Sequence, residues 1–83
     1  MKINTNNHIK YGTILEVQDL TGEGTSDVIM LIDNTSYGGE YNCMALDIST
    51  KTILGDYTDV KDFVNNVNIT RVVGQFDEFF SIQ

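Results

Sequence analysis

Proline is absent from this 83-residue chain, and cysteine, histidine and cations are scarce, with one Cys, one His and five Lys or Arg. No internal repeat or low-complexity stretch stands in for proline as linker punctuation, so the sequence describes one domain at most. Cys43 is the single cysteine, which excludes an internal disulfide. Together with His8 it also falls short of the four protein ligands that structural zinc requires. His8 lies in a polar leader, so neither a Ser-His-Asp nor a Cys-His arrangement is expected. Apolar residues make up 41% of the chain, but they come in short groups, whereas a membrane-crossing helix needs about 20 in a row. Residues 1–7 lack the apolar block and cleavage site of a secretory signal, which predicts a cytoplasmic protein. Lys2, Lys10, Lys51, Lys61 and Arg71 are scattered. Direct nucleic-acid binding, which depends on a basic footprint, is therefore not expected.

What the chain has in quantity is acid. Twelve Asp or Glu give a net charge of -7. A domain of this size removes only about 60% of its unfolded surface from water. With no disulfide to help, good strand pairing, self-association or a partner must supply the missing support. A homo-oligomer or an obligate binder follows as the expectation.

The hydrophobic pattern has a period of two over most of the length. In residues 9–17, Thr13, Leu15 and Val17 alternate with Ile14 and Glu16, as on a strand. Residues 18–26 are polar and glycine-rich and predict a surface loop. The apolar run 28–32 is too short for a typical helix and predicts a central strand covered on both faces. A turn at 34–39 leads to a third strand over 40–48, with Tyr41, Cys43 and Ala45 on one face and Met44, Leu46 and Ile48 on the other. Cys43 in that setting is expected to be a small buried hydrophobe. Ser49-Thr50-Lys51 turns into a fourth strand at 52–54. The period then changes, because Val60, Phe63, Val64 and Val67 share one face of a helix. Thr58 or Asp59 can cap that helix, and Asp59 and Asp62 favour its amino end. A fifth strand is expected at 69–73.

These elements predict a mainly β fold in the order β-β-β-β-α-β. The expected form is a small five-stranded antiparallel SH3-like barrel or a curled sheet, with one short helix before the last strand. Residues 1–8 form a leader, 9–74 the single barrel-like domain, and 75–83 an aromatic-rich tail.

Leu46-Asp47-Ile48-Ser49-Thr50-Lys51-Thr52-Ile53 forms a strand and hairpin. Tyr57-Thr58-Asp59-Val60-Lys61-Asp62-Phe63-Val64 forms a capped helix, and Ile69-Thr70-Arg71-Val72-Val73-Gly74 a strand ending in glycine. This layout, about 30 of the 83 residues, resembles small accessory proteins encoded by phages and prophages of low-GC Gram-positive bacteria. The resemblance implies a context in which small acidic proteins occupy host enzymes, and it carries over no catalytic residue.

Gly22-Glu23-Gly24-Thr25-Ser26 lacks the third glycine of a dinucleotide fingerprint and the lysine of a Walker motif, and nearby carboxylates repel anions. Asp33-Asn34-Thr35-Ser36-Tyr37-Gly38 begins like a calcium loop, but position twelve is Met44 where a bidentate Glu is required. The pairs Asp59/Asp62 and Asp77/Glu78 come with no evident cleft. No catalytic residue, metal or cofactor is therefore expected.

Two features point to a partner. Carboxylates recur along the domain, Glu16, Asp19, Glu23, Asp27 and Glu40 among them, and could steer the protein onto a basic groove. Aromatics gather at the tail in Phe76, Phe79 and Phe80, and rings at a chain end dock into a core or anchor in a partner's pocket. With Tyr37 in its hairpin, these residues form the candidate partner-binding set. The expected function is that of a non-enzymatic acidic binding protein that inhibits or modulates a host protein, such as a nucleic-acid-binding or defence enzyme, by occupying its site. Two alternatives stand beside it: a structural or assembly subunit acting through homo-oligomerisation, and a protein that sequesters a nucleotide between subunits.

Overall fold

The computed structural model describes residues 9–35 and 39–76. The expected leader, Tyr37, Phe79 and Phe80 lie outside them. Within them, the strands β1 (Thr13–Gln18), β2 (Ser26–Asp33), β3 (Cys43–Asp47) and β4 (Thr52–Tyr57) precede a helix, α1 (Val60–Asn66), and a last strand, β5 (Asn68–Gln75). The strands form one antiparallel sheet in the order β4-β3-β2-β1-β5. Consecutive hairpins build the first four strands. α1 then carries the chain to the opposite edge, where β5 pairs with β1.

The sheet is not closed. β4 and β5 are its two edges, so of the two expected forms the curled sheet is the one present. Register shifts lie between Ile14 and Leu15 and between Glu16 and Val17 on the β1–β5 side, and between Ala45 and Leu46 on the β3–β4 side. Extra residues of this kind bend a strand and increase its local twist.

All five strands differ in their bounds from the pattern reading, β2 and β5 by extending one to two residues at each end, and the other three for a local reason. β1 begins at Thr13 because Gly12 adopts a positive φ of 91° and its amide donates across to the Leu31 carbonyl at 2.8 Å. Ile9 is nevertheless buried in the core. β3 is shorter than residues 40–48 because Asn34 holds the loop before it, its amide donating to the Asn42 carbonyl and its side chain to the Tyr41 carbonyl. β4 runs on to Tyr57, past Gly55. A Cβ at that glycine would sit 2.7 Å from the Tyr57 hydroxyl, so the absence of a side chain lets the tyrosine lie over the strand.

α1 is only two turns long and so depends on tertiary packing. Asp59 is its cap, accepting from the Asp62 amide at 2.8 Å, while Asp62 accepts from the Thr58 amide at 3.0 Å. This reciprocal pair satisfies two amides that have no partner within the helix. The helix sets Phe63, Val64 and Val67 on one face of the sheet, against Leu15 and Val17, Ile29 and Leu31, Cys43 and Ala45, and Ile69. β3 contributes small side chains to this face, and the one fully buried ring among the described residues, Phe63, comes from the helix. Tyr57 meets it edge-on, with ring centroids 5.1 Å apart. Burial of each large apolar side chain here contributes about 1.5–3 kcal/mol.

Candidate functional site

The carboxylates singled out in the sequence do not converge. Glu16 is held within the sheet: its Oε1 lies 3.6 Å from Arg71 Nε and accepts from the Thr70 hydroxyl at 3.1 Å. Asp19 organises the β1–β2 loop, where Oδ1 accepts from the Gly24 amide at 2.7 Å. Glu23 accepts from the Thr21 hydroxyl in the same exposed loop. The Gly22–Gly24 backbone therefore spends one of its amides on a carboxylate instead of presenting it to an anion. Asp27 stands opposite Val17, and its Oδ2 is buried with no hydrogen-bond partner among the described residues. Glu40 is exposed in the loop before β3.

The acidic surface is also not uniformly outward. Asp47 is 9% exposed, and it turns back to accept from the Ser49 and Thr50 amides, fixing the β3–β4 turn. Asp33 does similar work at the end of β2. Hydrogen bonds from the Thr35 hydroxyl and amide hold its carboxyl below the usual range. That geometry is an Asx turn at the start of the stretch that resembles a calcium loop. Among the described residues, no three metal-ligating side chains come together.

Cys43 is buried and reduced, as a small hydrophobe in β3 should be. Burial pushes its thiol up to about 11, and the charges of Asp59, Asp62 and Asp33 add to the effect. It is therefore a neutral thiol at physiological pH, and the thiolate that nucleophilic chemistry requires is not formed. Tyr11 and Tyr57, raised mainly by burial, also stay protonated.

The feature the sequence reading missed is the outer face of the sheet, opposite α1. β2 is central, as expected, but the described residues cover it on one face only. Ile14, Met30, Leu46 and Ile53 are cross-strand partners and form an apolar row spanning β1 to β4. Val28 and Ile48 form a shorter row beside it, linked by the Ile48 amide donating to the Val28 carbonyl at 3.2 Å. Val73 and Phe76 close one side. Together with Lys51 from the β3–β4 turn, these residues except Ile53 line a groove of about 560 Å³.

Several of these side chains are open to water, with Val28 and Ile48 at 39% exposure and Ile53 and Phe76 at 45%. Ile14 is buried yet is not part of the core cluster under the helix, so the apolar layers on the two faces are separate. An antiparallel sheet with one solvated face ordinarily alternates apolar and polar residues. This one is apolar on both. Of the six proposed partner-binding residues that are described, Phe76 alone lines the groove. No side chain of the groove except Lys51 is charged.

The signal for this face was present in the sequence. Met44, Leu46 and Ile48 fall on one side of β3, and residues 28–32 are apolar on both sides of β2. Among the described elements, α1 covers only one face of the five-stranded sheet.

Among the described residues no helix is long and apolar enough to cross a membrane. No protein-family model matches the chain, and neither does a curated protein or a solved structure.

Proposed function

We propose that this is a non-enzymatic binding protein that lays the outer face of its sheet on an apolar patch of a partner protein, and in doing so inhibits or modulates it. The observation that carries this reading is the row Ile14, Met30, Leu46 and Ile53 with its adjoining groove, left open by the described residues. Apolar patches of this kind on small domains mark interaction sites. The net charge of -7 selects among partners, favouring an apolar patch ringed by Lys and Arg and steering the encounter at low ionic strength. The resemblance to phage and prophage accessory proteins supplies a context in which the partner is a host enzyme. A nucleotide is a poorer fit, since the groove offers one cation and otherwise apolar walls. A second copy of the chain would bring another -7 to the interface.

The test is affinity capture with the full chain and with Leu46→Asp, followed by calorimetric titration of the purified partner. The expected result is a stoichiometric partner whose binding weakens at least about a hundredfold for Leu46→Asp, in keeping with a central contact of an interface. Equal binding by both proteins, or no stoichiometric partner at low and moderate salt, would overturn the reading. Concentration-dependent self-association abolished by Leu46→Asp would replace it with homo-oligomeric assembly.

A further inference from the structure

We propose that the polar cavity between the β1–β2 loop and the end of α1 is a second contact site, which takes the guanidinium group of an arginine on the partner protein. The proposal rests on the reading of this chain as a binding protein, and it adds a place where one cation of the partner is held. The cavity shares no lining residue with the outer groove.

The volume of the cavity is about 270 Å³. Pockets for drug-sized ligands ordinarily have about 300–1,000 Å³, so a single side chain fits and a nucleotide does not. Asp19 and Leu20 reach it from the loop after β1, Tyr57 from the end of β4, Asn66 and Val67 from the end of α1, and Asn68 from the start of β5. In contrast to the outer groove, polar side chains predominate.

The charge of the site is negative. Among the described residues, Asp19 is the one charged side chain that lines the cavity. Its Oδ1 accepts from the Gly24 amide at 2.7 Å, and its Oδ2 has no partner among the described residues. Gln18 braces the same loop, donating to the Gly24 carbonyl at 3.0 Å and accepting from the Ser26 hydroxyl at 2.7 Å. The carboxylate is thus positioned before a ligand arrives, which lowers the cost of binding. α1 ends here with no basic residue in its last turn, so the free carbonyls of the helix end add partial negative charge.

Hydrogen-bonding capacity separates arginine from lysine. Asn66 commits its Nδ2 to the Asp62 carbonyl and carboxylate, both at 2.8 Å, which leaves its Oδ1 as an acceptor. Asp19 Oδ2, Asn66 Oδ1 and the protonated Tyr57 hydroxyl are therefore acceptors supplied by three elements around one cavity. A planar guanidinium carries five donors in a fixed fork and meets several acceptors at once, whereas an ammonium is a compact point charge. Leu20 and Val67 give the methylene stem an apolar wall.

The test is titration of the full chain with N-acetyl-arginine N-methylamide at constant ionic strength, followed by backbone and side-chain amide chemical shifts. The citrulline counterpart, similar in shape but uncharged, is the control. Saturable shifts at about millimolar concentration should concentrate at Asp19, Asn66 and Asn68. Binding should weaken at least about fivefold for the citrulline compound and for Asp19→Asn, in keeping with loss of a partly exposed ion pair. Asparagine tolerates the positive φ of 60° at this position, and its Oδ1 can still accept from the Gly24 amide, so the loop is kept while the charge is removed. No saturable shift, equal binding of the citrulline compound or by Asp19→Asn, or shifts spread evenly over the other carboxylates would overturn the proposal. A lysine counterpart that binds as tightly would overturn the choice of guanidinium. The captured partner should also bind Asp19→Asn more weakly, and unchanged affinity would contradict its use of this site.

The two readings fail separately. Retained partner binding by Leu46→Asp removes the proposed function while a specific response to the arginine compound would stand. Absence of that response removes the second site while a loss of binding by Leu46→Asp would stand.

Discussion

The two faces of this sheet use the same strands and nearly the same residue types, yet they end in different states. On one, α1 lays Phe63, Val64 and Val67 over Leu15, Ile29, Ala45 and Ile69, and the cluster is buried. On the other, Ile14, Met30, Leu46 and Ile53 line up across four strands with no element among the described residues above them. The hydrophobic effect treats both surfaces alike, so the difference lies in what the chain supplies to cover them. An apolar face that the described residues leave open is the one to test for binding.

That contrast can be broken most forcefully at Phe63. Phe63→Ala should cost about 3–5 kcal/mol, the usual penalty for emptying a buried aromatic site, and urea denaturation would report it. A loss below about 1 kcal/mol would mean the helix face is not the principal core. The neighbouring residues Ile29 and Met30 then allow a comparison across the thickness of one strand. Ile29→Ala should cost about 2–5 kcal/mol and Met30→Ala about 1 kcal/mol, by the same measurement. Equal costs would abolish the distinction between the faces.

The helix that makes one face a core is itself held by its cap. Asp59→Ala should remove about 1 kcal/mol, and Asp59→Asn should recover most of it. Both follow from thermal or urea unfolding, with the outer face left unchanged.

The smallest effect is silent at neutral pH. The Cys43 thiol is raised from its ordinary value of 9.0 to about 11 in the folded protein, so the unfolded chain releases this proton first. The resulting stability is complete below about pH 9 and is lost as pH rises towards 11. Tyr11 and Tyr57, also raised, act in the same direction at the upper end of that range. Melting temperatures followed from pH 8 to 11 should fall, and less steeply in Cys43→Ala. Identical slopes would place the thiol outside the core.

The order of elements was legible because each rests on short-range physics. The alternation around Leu15 and Val17, the spacing of Val60, Phe63, Val64 and Val67, and the Asp59 cap are all local. The open sheet was less legible than the strands. Closure depends on whether β4 and β5 meet, and no residue pattern within either strand encodes that. The candidate site was missed for a different reason. Charge drew attention to Glu16, Asp19 and Asp27, but folding commits Glu16 to Arg71 and Thr70, and Asp19 to the Gly24 amide. Ile14, Met30 and Leu46 read as ordinary core residues one strand at a time. Only the register that aligns them reveals an apolar row that no described element covers.

Methyl chemical-shift mapping during titration with the captured partner tests the central claim most directly. The shifts should concentrate at Ile14, Met30, Leu46 and Ile53, with Leu15, Ile29 and Ile69 beneath the helix little changed. Shifts confined to the β1–β2 loop or to the surface of α1, with the outer row unmoved, would contradict it.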